Sequence, residues 1–196
     1  MKFVLIKNIH LFIRKMPLNL VLLLSYPIGI INYLFTPFQN FKISKRKNFI
    51  EGYSVLKVKI NYVKYWIETI WLTKTGYEKY VEPLVEIING EEISKLNKSF
   101  NSYIIALPHV GNWEFAIPQG KGLGLNLLAI AEPLEDKKIL NWFTSLREDL
   151  GCKIILGGKG QNTFDEVVRK LDEGNHVCLL SDRHVGNSGV GVEFFN

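Results

Sequence analysis

Between Met16 and Phe41 the chain runs for 26 residues without a single charge. Arg14 and Lys15 bound the run on one side, and Lys42, Lys45, Arg46 and Lys47 on the other. About 20 apolar residues cross the hydrocarbon core of a bilayer as a helix, so the run is long enough to span. Pro27 and Gly29 sit at its middle, however, with Pro17 and Pro37 near its ends. Proline removes a helical hydrogen bond and clashes with the preceding turn, so a broken helix or two short helices lying in the interface fit as well as a clean span. A cleaved signal peptide does not fit, because the run starts late, is too long and lacks a small-x-small exit. A buried helical hairpin of a soluble protein is the remaining alternative.

Beyond Lys42 the apolar positions take a helical period. Val55, Val58, Tyr62 and Trp66 recur at spacings of three and four, with Lys57, Lys59 and Lys64 between them, which predicts an amphipathic helix. It is expected to break around Thr73 to Gly76. From residue 84 the pattern alternates. Apolar runs at 84–88, 103–107, 125–131, 153–156 and 176–180 read as strands, the first closed by the turn dipeptide Asn89-Gly90. Residues 136–150 and 163–173 read as helices. The first places Ile139, Trp142, Phe143, Leu146 and Leu150 on one stripe. The second opens on the capping-box pattern Thr163-Phe-Asp-Glu166 and stops at Gly174. Strands with little polar alternation, joined by helices, imply a largely parallel sheet covered by helices. The expected class is α/β, with an N-terminal apolar, membrane-associating helical segment.

A chain of 196 residues with 47% hydrophobic and 22% charged positions is neither disordered, collagen-like nor a disulfide-stapled miniprotein. Its two cysteines, Cys152 and Cys178, lie inside apolar runs. They read as small buried hydrophobes in a reducing compartment, with no spacing that supports metal binding.

Charge changes the picture more. Residues 1–65 hold eleven Lys/Arg against one acid, Glu51, whereas residues 66–196 hold thirteen against eighteen. A front end of +10 on a body of −5 points to contact with a polyanion. The long apolar run selects anionic membrane lipid over nucleic acid, because a nucleic-acid arm interleaves its cations with small polar residues.

In a parallel sheet, ligands gather at the carboxyl ends of the strands. Two loops there carry unusual chemistry, 108–114 (Pro-His-Val-Gly-Asn-Trp-Glu) and the segment that begins Ser181-Asp182-Arg183-His184. His109 and Glu114 are five apart, about 140° on a continuous helix. They converge only if His109 sits in the strand-end loop and Glu114 in the first helical turn beyond it. Gly111 and Asn112 suit such a bend, and Asn is a good helix N-cap. A histidine beside a carboxylate can deprotonate an alcohol. A zinc site is disfavoured, since the pattern is not HExxH and no cysteine is near. The Gly157-Gly158-Lys159-Gly160 stretch lacks phosphate-loop spacing and reads as a plain connection. A serine esterase is disfavoured by the lack of a G-x-S-x-G elbow.

Leu107-Pro-His-Val-Gly-Asn-Trp-Glu114 closely resembles the signature of the bacterial lysophospholipid and glycolipid acyltransferases, and within them the phosphatidylinositol mannoside branch related to the late acyltransferases of lipid A biosynthesis. Tyr62-Val-Lys-Tyr-Trp-Ile-Glu68, Ala131-Glu-Pro-Leu134, Ser145-Leu-Arg-Glu-Asp-Leu-Gly151, Cys178-Leu-Leu-Ser-Asp-Arg183 and Ser188-Gly-Val-Gly-Val-Glu-Phe-Phe195 resemble further family blocks in the right order. The resemblance implies transfer of a fatty acyl group from acyl-CoA, or from acyl carrier protein, to a sugar hydroxyl of a membrane glycolipid, with no cofactor or metal.

It implies His109 as the catalytic base, with Glu114 or Asp182 orienting its ring. Asn112, Trp113, Glu132, Arg147, Arg183 and Glu193 become the substrate-binding candidates. Glu132 could instead be a surface acid, and Arg147 could pair with Glu148 or Glu166. His184 stands where the family often has aspartate. The expected division is a membrane-associating segment, 1–47, and an acyltransferase α/β domain, 48–196, incomplete at its C-terminus relative to the family. The expected location is the cytoplasmic face of the plasma membrane. A non-catalytic membrane-associated glycolipid-binding fragment is the rival reading.

Overall fold

The computed structural model of the chain describes residues 2–45, 54–72, 77, 81–158 and 162–182. Its N-terminal part is helical, with α1 at Lys2–Ile13, α2 at Leu18–Leu23, α3 at Ser25–Phe35 and α4 at Pro37–Ser44. The prolines fall where the pattern placed the breaks. Pro17 precedes α2, and Pro37 opens α4 at its first position, where its fixed φ is favourable. Pro27 has no N–H to give the Leu23 carbonyl, and the ladder between α2 and α3 is interrupted at Leu24, whose own N–H turns to the Val21 carbonyl.

Helix α5, Val55–Trp71, opens on Ser54, whose hydroxyl accepts from the Lys57 amide, and it ends at Leu72. It is the spine against which the front end packs. At Gly29 of α3 a Cβ would fall 2.7 Å from the Ile60 Cα, so only glycine lets the two backbones approach this closely. The Trp71 indole donates to the Met16 carbonyl at 3.0 Å. Ile13 and Val21 join Val63, Ile67, Trp71 and Leu72 in one core that continues into the sheet. The N-terminal helices and the body therefore share their apolar interior.

The body is α/β, as the pattern implied. A short 3₁₀ turn at Glu82–Leu84 leads to α6, Gly90–Ser99. Then come β1 at Ile104–Leu107, α7 at Ala116–Gly122, β2 at Leu127–Ala131, α8 at Lys137–Leu150, β3 at Cys152–Leu156, α9 at Thr163–Asp172 and β4 at His176–Leu180. Among the described residues the strands form one parallel sheet in the order β1-β4-β2-β3. One face, with Leu127, Ala129 and Cys152, packs on the α5 core, and the other, with Leu128, Ile155 and Val177, packs on Val167 and Leu171 of α9.

Two local expectations are corrected. Residues 84–88 form no strand. They leave the 3₁₀ turn in irregular backbone and reach α6 through Asn89, held at φ 60°, the left-handed region that asparagine tolerates. Thr163 is the first residue of α9 and not its cap. Asn162 occupies the cap position without capping the backbone, its amide bonding the Asp165 carboxylate instead. Gly174 does end the segment, at φ 80°.

The order of the strands is what builds the site. β4 inserts between β1 and β2, and its register sets Leu107 opposite Leu180. The Ser181 amide continues the ladder to the Leu107 carbonyl at 2.9 Å. The loops that follow β1 and β4 therefore leave the sheet side by side at its carboxyl edge.

Candidate active site

His109 and Asp182 each lie two residues past that last pair. The Asp182 carboxylate takes both hydrogen bonds that His109 can offer it. Oδ2 accepts from the His109 backbone N–H at 2.8 Å, and Oδ1 lies 2.6 Å from ring Nδ1. These bonds to His109 hold the Asp182 carboxyl below its usual range. A carboxylate only accepts, so Nδ1 carries the proton and Nε2 is left with its lone pair. The histidine side chain is 44% exposed. The pair thus presents a fixed, accessible base.

Of the two carboxylates weighed as partners of the ring, Asp182 is the one in contact. Glu114 is turned the other way. Gly111, at φ 66°, reverses the chain, and the Asn112 side chain accepts from the Glu114 amide at 3.2 Å, capping a 3₁₀ turn at Trp113–Phe115 that leads into α7. That turn drives Glu114 into the interior, where it is 1% exposed. An ion this deep needs a partner. Arg147 of α8 supplies one, with Nη2 at 2.8 Å and Nε at 3.1 Å from Oε1. The Tyr65 hydroxyl donates to the same oxygen at 3.3 Å, and burial, together with the Glu114 charge, pushes that phenol up to about 12. Arg147 also lies over the Trp113 ring, 4.9 Å from its centroid.

The pattern along α5 and α8 brings these groups together. Trp66 packs on Phe143 with centroids 5.1 Å apart, and Trp142 packs on Phe143 and on His10 of α1. With α8 seated by its aromatics, Arg147 points at Glu114 and not at Glu148 or Glu166. Glu68 of α5 accepts from the Asn112 amide at 3.1 Å. Tyr65 and Glu68 were not singled out as site residues in the sequence. Their signal is two polar groups three apart on the helix, both partly buried rather than exposed like Lys57, Asn61 and Lys64.

Trp113 is partly buried against the core, and Glu132 is an exposed residue just past β2. Arg183, His184 and Glu193 lie outside the described residues. Beside the loop opens an apolar cavity of about 440 Å³, lined among others by Ile93, Ile105, Leu107, Trp113, Leu123 and Leu125. Leu107 and Trp113 flank His109 in sequence, so the cavity borders the histidine loop. Both cysteines line it, and burial pushes Cys152 up to about 12 and Cys178 to about 11. Thiols so poorly ionised are apolar wall and not nucleophiles. Among the described residues no group of three His, Cys, Asp or Glu side chains is placed to hold a metal ion.

The site is thus a histidine–aspartate pair at the carboxyl edge of a parallel α/β domain, with an apolar cavity next to it. The sequence profile of the family described as bacterial lipid A biosynthesis acyltransferase matches residues 55–196. The chain belongs to this family, as the loop motif implied. It is similar to the phosphatidylinositol mannoside acyltransferase of Mycolicibacterium smegmatis, 29% identical over 139 residues that cover 69% of this chain and 44% of that protein. A protein of the same name in Mycobacterium tuberculosis is 29% identical over 140 residues, 69% of this chain and 43% of its own. The chain thus spans less than half the length of the curated relatives it matches.

Proposed function

We propose that this chain carries the catalytic part of an acyltransferase that moves a fatty acyl group from a thioester donor to a sugar hydroxyl of a membrane glycolipid. The observation that carries this reading is the His109–Asp182 pair, with Nδ1 fixed at 2.6 Å and the ring open to solvent beside an apolar cavity.

In the proposed step, Nε2 of His109 takes the proton of the acceptor hydroxyl as its oxygen attacks the thioester carbonyl. Asp182 holds the tautomer and stabilises the imidazolium that forms. The tetrahedral intermediate collapses to the ester, the thiolate leaves, and His109 returns the proton to it. The acyl chain lies in the cavity bordered by Leu107 and Trp113, which positions its carbonyl at the mouth and excludes water from the tail. Glu114, Arg147 and Tyr65 serve the step at one remove, by fixing the 3₁₀ turn behind the loop.

The donor is acyl-CoA or an acyl carrier protein. The acceptor class follows the names of the relatives and of the family, a mannosylated phosphoinositide or a lipid A-type sugar. The +10 front end and the exposed apolar helices associate with anionic membrane at the cytoplasmic face, where acyl thioesters are available.

The test is transfer of labelled palmitate from palmitoyl-CoA to a mannosylated phosphoinositide in vesicles by the purified chain. A labelled, base-labile lipid product supports the reading. Glycolipid binding without any product would replace it with that of a binding protein.

A further inference from the structure

Helices α2 and α3 carry no charge on any side and are largely apolar, yet only one stripe of them is covered. Val21, Ser25 and Gly29, four apart, form the buried stripe, and the Ser25 hydroxyl is satisfied by the Leu22 carbonyl at 2.6 Å. On the opposite side Leu20, Leu23, Ile30, Ile31 and Leu34 are exposed, and Phe35 at the end of α3 is 78% exposed. A helix that is hydrophobic all round belongs in a protein core or in lipid. Residues 18–35 are about 27 Å long at roughly 1.5 Å per residue, close to the ~30 Å thickness of a bilayer core. Length alone therefore does not say whether they cross it.

We propose that α2 and α3 lie within one leaflet of an anionic phospholipid bilayer, along its surface, and do not cross it. The proposal rests on the membrane association inferred above and specifies its geometry. Three observations carry it.

The first is the packing of α3 on α5, with glycine-close contact at Gly29 and Ile60. Helix α5 exposes Lys57, Asn61 and Lys64, and buries Lys59, whose ammonium donates to Gln39 of α4 at 2.7 Å. A crossing α3 would carry these lysines toward the middle of the membrane, where cations are rare and costly even when, like Lys64 with Glu68 at 3.8 Å, they have a partner. Parting the two helices instead would strip the stripe of Val21, Ser25 and Gly29 from the core.

The second is that α5 is tied to the site at the sheet edge. Tyr65 holds Glu114 and Glu68 holds Asn112, so α5 cannot tilt into the bilayer without the histidine loop.

The third is charge. Lys2, Lys7, Arg14 and Lys15 precede the uncharged run, and Lys42, Lys45, Arg46 and Lys47 follow it. Four cations on each side give none of the asymmetry that orients a spanning helix. They suit two flanks that meet the same layer of phosphates. Helix α4 shows the interfacial pattern directly, with Lys42 over the Phe38 ring at 4.5 Å and Lys45 over Phe41 at 4.8 Å while both rings stay largely exposed. Such charge flanks favour lipid over a second copy of the chain.

The experiment uses the full chain with Lys15→Cys or Lys42→Cys, bound to sealed vesicles containing phosphatidylglycerol and treated with a membrane-impermeant maleimide. The unsubstituted chain sets the background from Cys152 and Cys178. Both added cysteines should label from outside as completely as they do after detergent is added. If one of them labels only after detergent, the helices cross and the inference is overturned while membrane association stands. A chain that stays off the vesicles, or that hides both positions in a soluble dimer, overturns the inference together with the membrane reading.

Discussion

One carboxylate, Asp182, grips His109 at two points, the backbone amide at 2.8 Å and ring Nδ1 at 2.6 Å. The first bond fixes where the loop leaves the strand, and the second fixes which ring nitrogen keeps the proton. Glu114, five residues away, is instead spent on Arg147 inside the protein. The two acids therefore predict different phenotypes.

Asp182→Asn should lower the rate of acyl transfer by more than tenfold through loss of the tautomer and the counter-charge, while thermal unfolding stays close to that of the parent, because the pair is exposed. Glu114→Ala should do the reverse in emphasis. Breaking a buried pair costs about 3–5 kcal/mol, and the lower end applies because the Arg147 side chain is 20% exposed. A large fall in melting temperature for Glu114→Ala, matched by Arg147→Ala and not doubled in the double variant, checks it. Equal melting temperatures for Glu114→Ala and the parent would contradict the assignment.

His176, the first residue of β4, is 5% exposed and stacked edge-on against Tyr103 at 4.4 Å, and neither ring nitrogen has a hydrogen-bond partner among the described residues. Burial lowers its pKa. The unfolded chain then binds the proton first, at about pH 6.5, so stability is complete above that pH and falls as the pH drops below it. Unfolding temperature measured from pH 7.5 to 5.5 should decline, and His176→Phe should flatten the slope. His10, also lowered by burial and by Arg14, contributes a slope of the same sign that remains in the variant.

Gly29→Val should destabilise the chain by about 1–3 kcal/mol, the usual range for overpacking. The new Cβ would meet the Ile60 Cα, a backbone atom that no rotamer change can move. Urea unfolding followed by far-UV circular dichroism checks this. A neutral result would mean that α3 is not seated on α5.

Leu123 lines the apolar cavity just beyond α7. Leu123→Trp should shorten the acyl chain that the enzyme accepts, leaving transfer of short chains closer to normal than transfer of palmitate. Rates with a series of acyl-CoA lengths separate this from a general loss. A uniform drop at every length would contradict the placement of the acyl chain.

Much of this architecture was legible along the chain. The parallel strands, the helices at 137–150 and 163–172 and the proline breaks at 17, 27 and 37 follow from local pattern, because period, glycine and proline act over a few residues. Residues 84–88 carry a strand-like pattern without forming a strand, since a short apolar run looks the same whether it pairs in a sheet or lines a cavity. The partner of His109 stayed open for a different reason. Asp182 reaches it only because β4 inserts beside β1 in the register Leu107–Leu180, and strand order is not written in either strand. Glu114 is a candidate because it is near His109 in sequence, but the 3₁₀ turn capped by Asn112 sends it toward an arginine 33 residues further on.

The central claim is that His109 is the base for acyl transfer, and His109→Ala tests it most directly. The rate of palmitoyl transfer to a mannosylated phosphoinositide is compared between the parent and the variant at equal vesicle binding and with matching circular dichroism. The account predicts a loss of roughly 10²–10⁴-fold, the usual contribution of a general base. Transfer within a few-fold of the parent by a folded, membrane-bound His109→Ala chain would contradict it.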